Sequence, residues 1–295
     1  MLRTFLLATA LLAAPAAAQS LADESARGAI DEPLVRPADY RAVWADEFDR
    51  PGLPDPARWR HDTSMNRTGW ANAELQYYAD RRPDNARVED GKLIITARRE
   101  PTRQFADSNG QRYTSARLVT QGLAVWRYGF FEIRAKLPCG RGSWPAIWML
   151  GDEDGGPRWP AIGEIDIMEH VGFDEGRVHG TIHSQAFNHV DGTQRGASIQ
   201  VADVCGSFHD YQLHWTPEAI TIGVDGRGFF RFANDGRGDN ASWPFSRPHY
   251  LILNIAVGGG WGGQQGVDDA AFPYAMEVEH VRVWQAPAPS PSPSR

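Results

Sequence analysis

Hydrophobic and polar residues alternate at a period of two along much of the chain. Leu93, Ile95 and Ala97 fall on one face of a segment that follows the Asp90-Gly91 turn. Successive side chains of a β-strand point to opposite faces, so this period predicts strands. The same alternation, or an apolar run of strand length, recurs at residues 128–135, 211–215, 221–224, 229–232, 250–257 and 281–283. No window sustains the i, i+3, i+4, i+7 stripe of a full-length helix.

Turn signals separate these segments. Asp225-Gly226 lies between two of them and is a preferred pair for a tight β-hairpin. Many short strands with turns between them, in one large domain, indicate a sandwich of two antiparallel sheets or a barrel. The sequence therefore predicts an all-β protein.

The two ends of the chain lack this pattern. A positively charged start, a short apolar run and a small-x-small site predict a signal peptide over residues 1–18, cleaved after Ala18. The apolar run is shorter than the roughly 20 residues that span a bilayer, and an uncleaved anchor is the alternative. Residues 19–39 form a weakly patterned lead segment, residues 40–284 one domain, and residues 285–295 a Pro/Ser-rich tail. We expect a secreted protein, extracellular or periplasmic, without a membrane anchor.

Composition narrows the classes of function. A net charge of −7 argues against a nucleic-acid binder, which needs a basic surface to displace counterions from phosphates. Eleven tryptophans suit either a large core or a surface that stacks on flat ligands. The two cysteines, Cys139 and Cys205, can form one bridge in an oxidising compartment, and their pairing stays open at this point. We expect a monomer.

The candidate chemistry lies in Gly-Glu-Ile-Asp-Ile-Met-Glu. Glu164 and Asp166 share one face of a regular strand, whereas Glu169 has the opposite parity. One extra residue at Ile167-Met168, a β-bulge, would return Glu169 to the side of the other acids. Three acids on one face would then form a catalytic set. The alternative is a solvated edge strand whose acids face water.

Tryptophans near this motif favour a saccharide cleft. Trp144 and Trp148 lie four residues apart just upstream, and Trp159 and Trp261 lie in Pro-rich or Gly-rich surroundings. An indole offers a flat apolar face and a polar N–H group, which suits stacking against a sugar ring. Trp215, in a strand pattern, is predicted to be core.

The acid motif, with its Trp-Pro-Ala-Ile-Trp neighbour, resembles the active-site strand of glycoside hydrolase family 16. Its bulged form is typical of the laminarinase-like members, the endo-β-1,3-glucanases. Further segments resemble that family in the same order: residues 44–48, 74–78, 129–137, 144–150, 209–215, 253–260 and 281–284. The resemblance implies a concanavalin-like β-jelly roll, with two curved antiparallel sheets and a substrate cleft across the concave one.

The resemblance also implies an activity and its residues. Glu164 matches the nucleophile, Glu169 the general acid/base and Asp166 the assisting acid of a retaining glycosidase that cleaves β-1,3-glucan internally. The substrate-binding positions implied in the same way are Trp144, Trp148, Trp70, Asn72, Arg117, His183 and Trp261. For those outside the acid motif, a purely structural role is the alternative. His179 is expected to be structural.

The chemistry itself requires no cofactor. Family members often bind a structural calcium through an Asp near the last strand, where this chain has Glu279. Glu47, Gly91 and Glu279 are the candidate set for such an ion.

Two other functions stay open from the sequence. A mixed-linkage β-1,3-1,4-glucanase is the nearest rival, although its best-known pattern is the unbulged Glu-x-Asp-x-Glu. A non-catalytic, lectin-like β-glucan-binding protein is the second, and the presence of all three acids argues against it. The expected partner in each case is a polysaccharide.

Overall fold

The chain folds into two β-sheets that pack face to face. The computed structural model describes residues 28–152 and 156–287, in which the only helical element is a single 3-10 turn at Ala71–Ala73. The larger sheet has eleven strands. They are β1 (Ala29–Pro33), β2 (Arg41–Asp46), β4 (Gln76–Tyr78), β5 (Ala86–Glu89), β6 (Lys92–Arg99), β7 (Tyr113–Ser115), β9 (Gly129–Lys136), β14 (His209–Trp215), β15 (Ala219–Val224), β16 (Arg227–Ala233) and β18 (Tyr274–Gln285).

The smaller sheet carries the acid motif near its middle. Its seven strands follow the order β13-β12-β11-β10-β17-β8-β3. They are β3 (Arg60–His61), β8 (Arg117–Val119), β10 (Ser143–Gly151), β11 (Glu164–His170), β12 (Arg177–His183), β13 (Arg195–Gln200) and β17 (His249–Val257). Each of these strands pairs antiparallel with its neighbour.

One apolar core fills the space between the sheets. Phe131 and Ile133 from β9 belong to the same buried cluster as Ile147 from β10 and Leu253 from β17. The residues that alternate with Phe131 and Ile133, such as Glu132, lie outside this cluster and pair with polar neighbours. A sheet with one face buried and one face polar gives the period-two pattern of the sequence. The fold is therefore the predicted all-β jelly roll.

The predicted hairpin is present. Thr221 and Val224 lie in β15, β16 follows, and Asp225 and Gly226 form the connection with φ values of 50° and 78°. A two-residue hairpin turn of type I′ requires positive φ at both central positions, and an Asp-Gly pair adopts such angles readily.

The sheet begins earlier than the domain boundary predicted at Tyr40. Ala29–Pro33 forms β1, which pairs with β16, and Arg227 makes two hydrogen bonds to Asp31, at 2.7 and 3.0 Å. Part of the lead segment is therefore an edge strand. Its hydrophobic pattern is too short and irregular to predict a strand. The predicted signal peptide at residues 1–18 lies outside the described residues, as does the tail from residue 288 onward.

A disulfide joins two connections at one end of the sandwich. Cys139 follows β9 and Cys205 precedes β14, with 5.8 Å between their Cα atoms and a sequence separation of 66. None of the described segments is a helix long and apolar enough to span a bilayer.

Candidate active site

The strand β11 carries a bulge between its first two acids and its third. Asp166 pairs with Thr181 and Glu169 with His179, so Ile167 and Met168 together oppose the single residue between these partners. Ile167 and Met168 are fully buried and face the core. The insertion restores the parity of Glu169, so that Glu164, Asp166 and Glu169 all line the same cleft. The bulge predicted from the sequence is confirmed.

The cleft consists of two adjoining cavities on the outer face of the seven-stranded sheet. The larger, about 480 Å³, contains Glu164 and Glu169, and the smaller, about 60 Å³, contains all three acids. Asn72 and Trp144 lie on the wall of both. The larger cavity is completed by His179, Thr181, His183, His189, Gln194, Gly260 and Trp261, and the smaller by Glu74, Arg117, Ala146, Trp148, Asn254 and Ala256.

Burial of the three acids beside one another favours their protonated forms. Desolvation, and secondarily the charge of Asp166, raises the pKa of Glu164 to about 8. Desolvation, and secondarily the charge of Glu164, raises the pKa of Glu169 to about 7. Burial also raises the pKa of Asp166 well above its usual range. The three groups therefore titrate as one set that retains protons near neutral pH.

Each glutamate of the set accepts one indole hydrogen bond. Trp159 Nε1 donates to Glu164 Oε2 at 2.7 Å, and Trp144 Nε1 donates to Glu169 Oε1 at 3.0 Å. A donor that cannot accept stabilises the ionised carboxylate, and it also fixes where each carboxylate lies.

His183 approaches the set of acids at Glu164 and Asp166. Its Nε2 lies 3.3 Å from Asp166 Oδ2 and 3.9 Å from Glu164 Oε1. The imidazole is 6% exposed, so it contacts the acids from within the cleft wall. This places His183 beside Glu164, on the wall of the larger cavity.

Arg117 links the tryptophans of the smaller cavity. Its guanidinium lies 4.7 Å from the Trp148 ring centroid and 5.1 Å from the Trp70 ring centroid, and its Nε lies 3.0 Å from Asp62 Oδ2. Trp148 Nε1 also donates to Asn254 Oδ1 at 2.7 Å. Arg117 thus covers one face of the Trp148 ring and lies close to the Trp70 ring. Trp70 is 8% exposed and packs edge-on against Tyr78, and its role in substrate binding stays a prediction.

At the other end of the cleft, Trp261 packs edge-on against Trp144, with 5.4 Å between ring centroids, and against His179, with 4.9 Å. Burial lowers the pKa of His179 to about 4, so its ring is neutral at the pH where the acids are partly ionised. Since His179 also lines the larger cavity, it forms part of the cleft wall in addition to the structural role expected from the sequence.

Two of the three residues considered for calcium are paired with arginines. The carboxylate of Glu47 accepts two hydrogen bonds from Arg282, at 2.8 and 2.7 Å, and Glu279 accepts one from Arg134 at 2.7 Å. Each negative charge is already compensated by a guanidinium. In the described part of the chain, none of the clusters of His, Cys, Asp and Glu ligand atoms contains Glu47 or Glu279. The side chains of Glu47 and Glu279 are thus engaged by arginines, and a calcium ion held by Glu47, Gly91 and Glu279 stays a prediction.

Sequence reasoning missed several residues of the cleft. Trp159 was noted only for its Pro-rich surroundings, and Glu74 and Asn254 lay in segments that resemble the family without a role being assigned. Nothing in the local pattern places Trp159 against Glu164, because a connection, not a strand register, brings the indole there. For Asn254, the signal was a polar residue within an apolar strand, which is uncommon unless it has a buried partner.

This sandwich, with carboxylic acids gathered on a bulged strand and indoles along the groove, defines a class of enzyme that cleaves glycosidic bonds on a jelly-roll scaffold. The family model for Glycosyl hydrolases family 16 matches residues 73–276. The chain belongs to that family and is a glycosidase.

Individual relatives agree with this assignment. The beta-glucanase of Rhodothermus marinus is 55% identical over 252 residues, which cover 83% of this chain and 85% of that protein. The solved structure of SCLam, a non-specific endo-beta-1,3(4)-glucanase, superposes with a TM-score of 0.86 at 56% identity, covering 88% of this chain and 97% of SCLam. The structure of the laminarinase from Rhodothermus marinus gives a TM-score of 0.79 at 54% identity, covering 83% and 97%.

Proposed function

We propose that the protein cleaves β-1,3-glucan at internal bonds with retention of configuration. The observation that carries the proposal is the bulged strand β11, which brings Glu164, Asp166 and Glu169 to one cleft. Retaining glycosidases need two carboxyl groups close together, one ionised to attack and one protonated to release the leaving group. Two glutamates on a single strand, close enough that the charge of Glu164 raises the pKa of Glu169, fit that requirement.

In the proposed first step, Glu164 attacks the anomeric carbon while Glu169 donates a proton to the glycosidic oxygen. A pKa of about 7 suits Glu169 to this task, because a general acid works best when its pKa lies near the working pH. Glu164 must be ionised when the bond breaks, although burial raises its own pKa to about 8. The Trp159 N–H group favours that ionised form by donating to the carboxylate. In the second step, Glu169 takes a proton from the water that releases the sugar from Glu164.

Asp166 is proposed to hold a proton for the pair. It lies between the two glutamates on the strand and is 2% exposed, which makes a separate charge there unfavourable. A protonated Asp166 can donate to Glu164 and limit the repulsion among the three groups.

The names of the relatives support a β-glucan substrate. Two are called a beta-glucanase and a laminarinase, and the third a non-specific endo-beta-1,3(4)-glucanase. The third name favours cleavage of mixed-linkage β-1,3-1,4-glucan as the second candidate activity. Trp144 and Trp148 are proposed to stack on sugar rings, with the free face of Trp148 being the one opposite Arg117.

Export and assembly are part of the proposal. The disulfide between Cys139 and Cys205 supports an oxidising compartment, because such bridges are rare in reducing cytosol. We propose a secreted monomer that acts on a soluble or cell-wall glucan and has no nucleic-acid partner.

The proposal is tested by hydrolysis of laminarin, lichenan and cellulose, with product anomers followed by NMR. We expect laminarin to be cleaved and the β-anomer to form first. Glu164→Gln should abolish formation of the glycosyl-enzyme, and Glu169→Gln should lose a factor of about 10² to 10⁴ in rate.

Both variants should keep their fold, since neither side chain belongs to the core. An initial α-anomer would rule out retention. Near-normal turnover by Glu164→Gln would rule out the assignment of the nucleophile, and binding without any product would favour the lectin-like alternative.

A further inference from the structure

Three side chains of different types converge at one end of the cleft. His183 Nε2 lies 3.3 Å from Asp166 Oδ2 and 3.9 Å from Glu164 Oε1, and one ligand atom from each residue lies within 4.8 Å of the others. Glu164 and His183 both line the cavity of about 480 Å³, so the group is reachable from solvent.

When these acids are ionised, they lack a permanent cationic partner. Among the described residues, His183 is the only basic side chain within ion-pair distance of Glu164 or Asp166. Asp166 Oδ2, in a side chain that is almost fully buried, has no hydrogen-bond partner there. A buried carboxylate oxygen without a donor is unusual in a folded protein, and a bound cation next to His183 is one way to satisfy it.

The spacing of the ligand atoms fits a small transition-metal ion. Zinc binds imidazole nitrogen at about 2.0–2.1 Å and carboxylate oxygen at about 2.0–2.2 Å, so two tetrahedral ligands lie roughly 3.4 Å apart. The two distances from His183 Nε2 lie at and slightly above this value. Imidazole nitrogen and carboxylate oxygen are both zinc ligands, and the fourth position would face the cavity.

A second cluster of the same composition lies on the eleven-stranded sheet, at Glu132, Asp210 and His280. The two acids of this second cluster already accept hydrogen bonds from neighbouring side chains. Gln212 Nε2 donates to Glu132 at 2.9 Å, and Arg134 Nη1 donates to Asp210 at 3.3 Å. Because a guanidinium already neutralises part of this cluster, it has less to gain from a cation than the cleft cluster.

We propose that Glu164, Asp166 and His183 form a binding site for a divalent transition-metal ion of the zinc type, and that an ion bound there reversibly blocks the cleft. The ion would bind a carboxylate oxygen of Glu164 and would fill the adjacent part of the cleft. Its binding is independent of the substrate, whereas the resulting inhibition rests on the function proposed above.

The test is calorimetric titration of the full metal-free protein with zinc chloride. We expect one ion per chain, with affinity reduced at least tenfold in His183→Gln and, as a second variant, in Asp166→Asn. His280→Gln, which alters only the other cluster, is the matched control and should bind as the unaltered protein does. Melting curves without metal establish that each variant is folded.

Activity on laminarin gives a separate readout. Saturating zinc should reduce hydrolysis at least tenfold in both the unaltered protein and His280→Gln, and a chelator should restore it. Absence of zinc binding, or binding that survives both cleft variants, would overturn the proposal, as would binding lost only in His280→Gln. If no glucan is hydrolysed in chelator, the proposed function fails, while the titration still decides the metal site.

Discussion

At the scale of single residues, each glutamate of the cleft is matched with one indole. Trp159 donates a hydrogen bond to Glu164 and Trp144 donates one to Glu169, with donor–acceptor distances of 2.7 and 3.0 Å. An indole N–H can only donate, so each bond favours the charged form of its own carboxylate. The two tryptophans should therefore act on different limbs of the pH profile.

Trp159→Phe is expected to raise the pKa of Glu164 and to shift the acidic limb of kcat/KM to higher pH. A hydrogen bond to a charged group contributes about 1.5–3 kcal/mol, so a loss of roughly tenfold or more near neutral pH should accompany the shift. Trp144→Phe is the matched comparison and should instead move the basic limb upward, because Glu169 would keep its proton to higher pH. Rate profiles from pH 4 to 9 would measure both, and identical shifts in the two variants would contradict the pairing.

At the scale of elements, the bulge in β11 decides which residues can do chemistry. If β11 ran as a regular strand through residue 169, without a bulge, Glu169 would take the parity of Ile165, which is fully buried in the core. The register against β10 shows the same insertion, since Trp148 pairs with Asp166 and Ile147 pairs with Met168.

Deleting Met168 is expected to give a folded protein whose Glu169 still faces the cleft. The deletion removes the bulge and leaves regular alternation from Glu164 to Asp166 to the shifted glutamate. Loss of one buried side chain should lower the melting temperature, while laminarin hydrolysis stays measurable.

Deleting Ile165 is the control for that variant. It removes one residue from a regular stretch and puts Glu164 and Asp166 on opposite faces, so activity should vanish. Equal inactivity of the two deletion variants, with both folded, would show that parity is not what the bulge provides.

At the scale of the whole molecule, the buried acids of the cleft lower the free energy of unfolding of the sandwich when they are ionised. One core joins the two sheets, and most charged residues of the larger sheet are paired, as with Glu277 between Lys92 and Lys136, each at 2.7 Å. Glu164 and Asp166 have no such partner apart from His183. Their folded-state pKa values lie above the unfolded values, so the folded state binds more protons and stability falls as pH rises.

The stability of Glu164→Gln should therefore exceed that of the unaltered protein at pH 8 and approach it at pH 5. The pKa of Glu164 is raised from 4.5 to about 8, so the penalty grows across that interval and is absent below it. Each unit of difference between the folded and unfolded pKa changes the free energy of unfolding by about 1.4 kcal/mol. We therefore expect the two melting temperatures to differ by several degrees at pH 8. Glu218→Gln, at an exposed position, should show no such pH-dependent gain, and a gain that is equal at pH 5 and pH 8 would argue against the assigned shift.

Local patterns in the sequence were sufficient to predict most strands and the bulge in β11. Period-two alternation follows directly from one face of a strand meeting the core, so it predicted β6, β9 and β14 and placed Trp215 inside, where it is fully buried. The bulge could be predicted because burying Glu169 against the core would be too costly, and one extra residue was the simplest remedy.

The contacts between side chains of the cleft depend on tertiary packing and could not be predicted from the sequence. The order of strands places β17 beside β10, which brings Asn254 to Trp148, and a connection outside any strand brings Trp159 to Glu164. These contacts join residues from separate parts of the chain or from irregular segments, and local patterning carries no information about either. The edge strand β1 was missed for a related reason, since a short strand that buries little apolar surface needs no strong alternation.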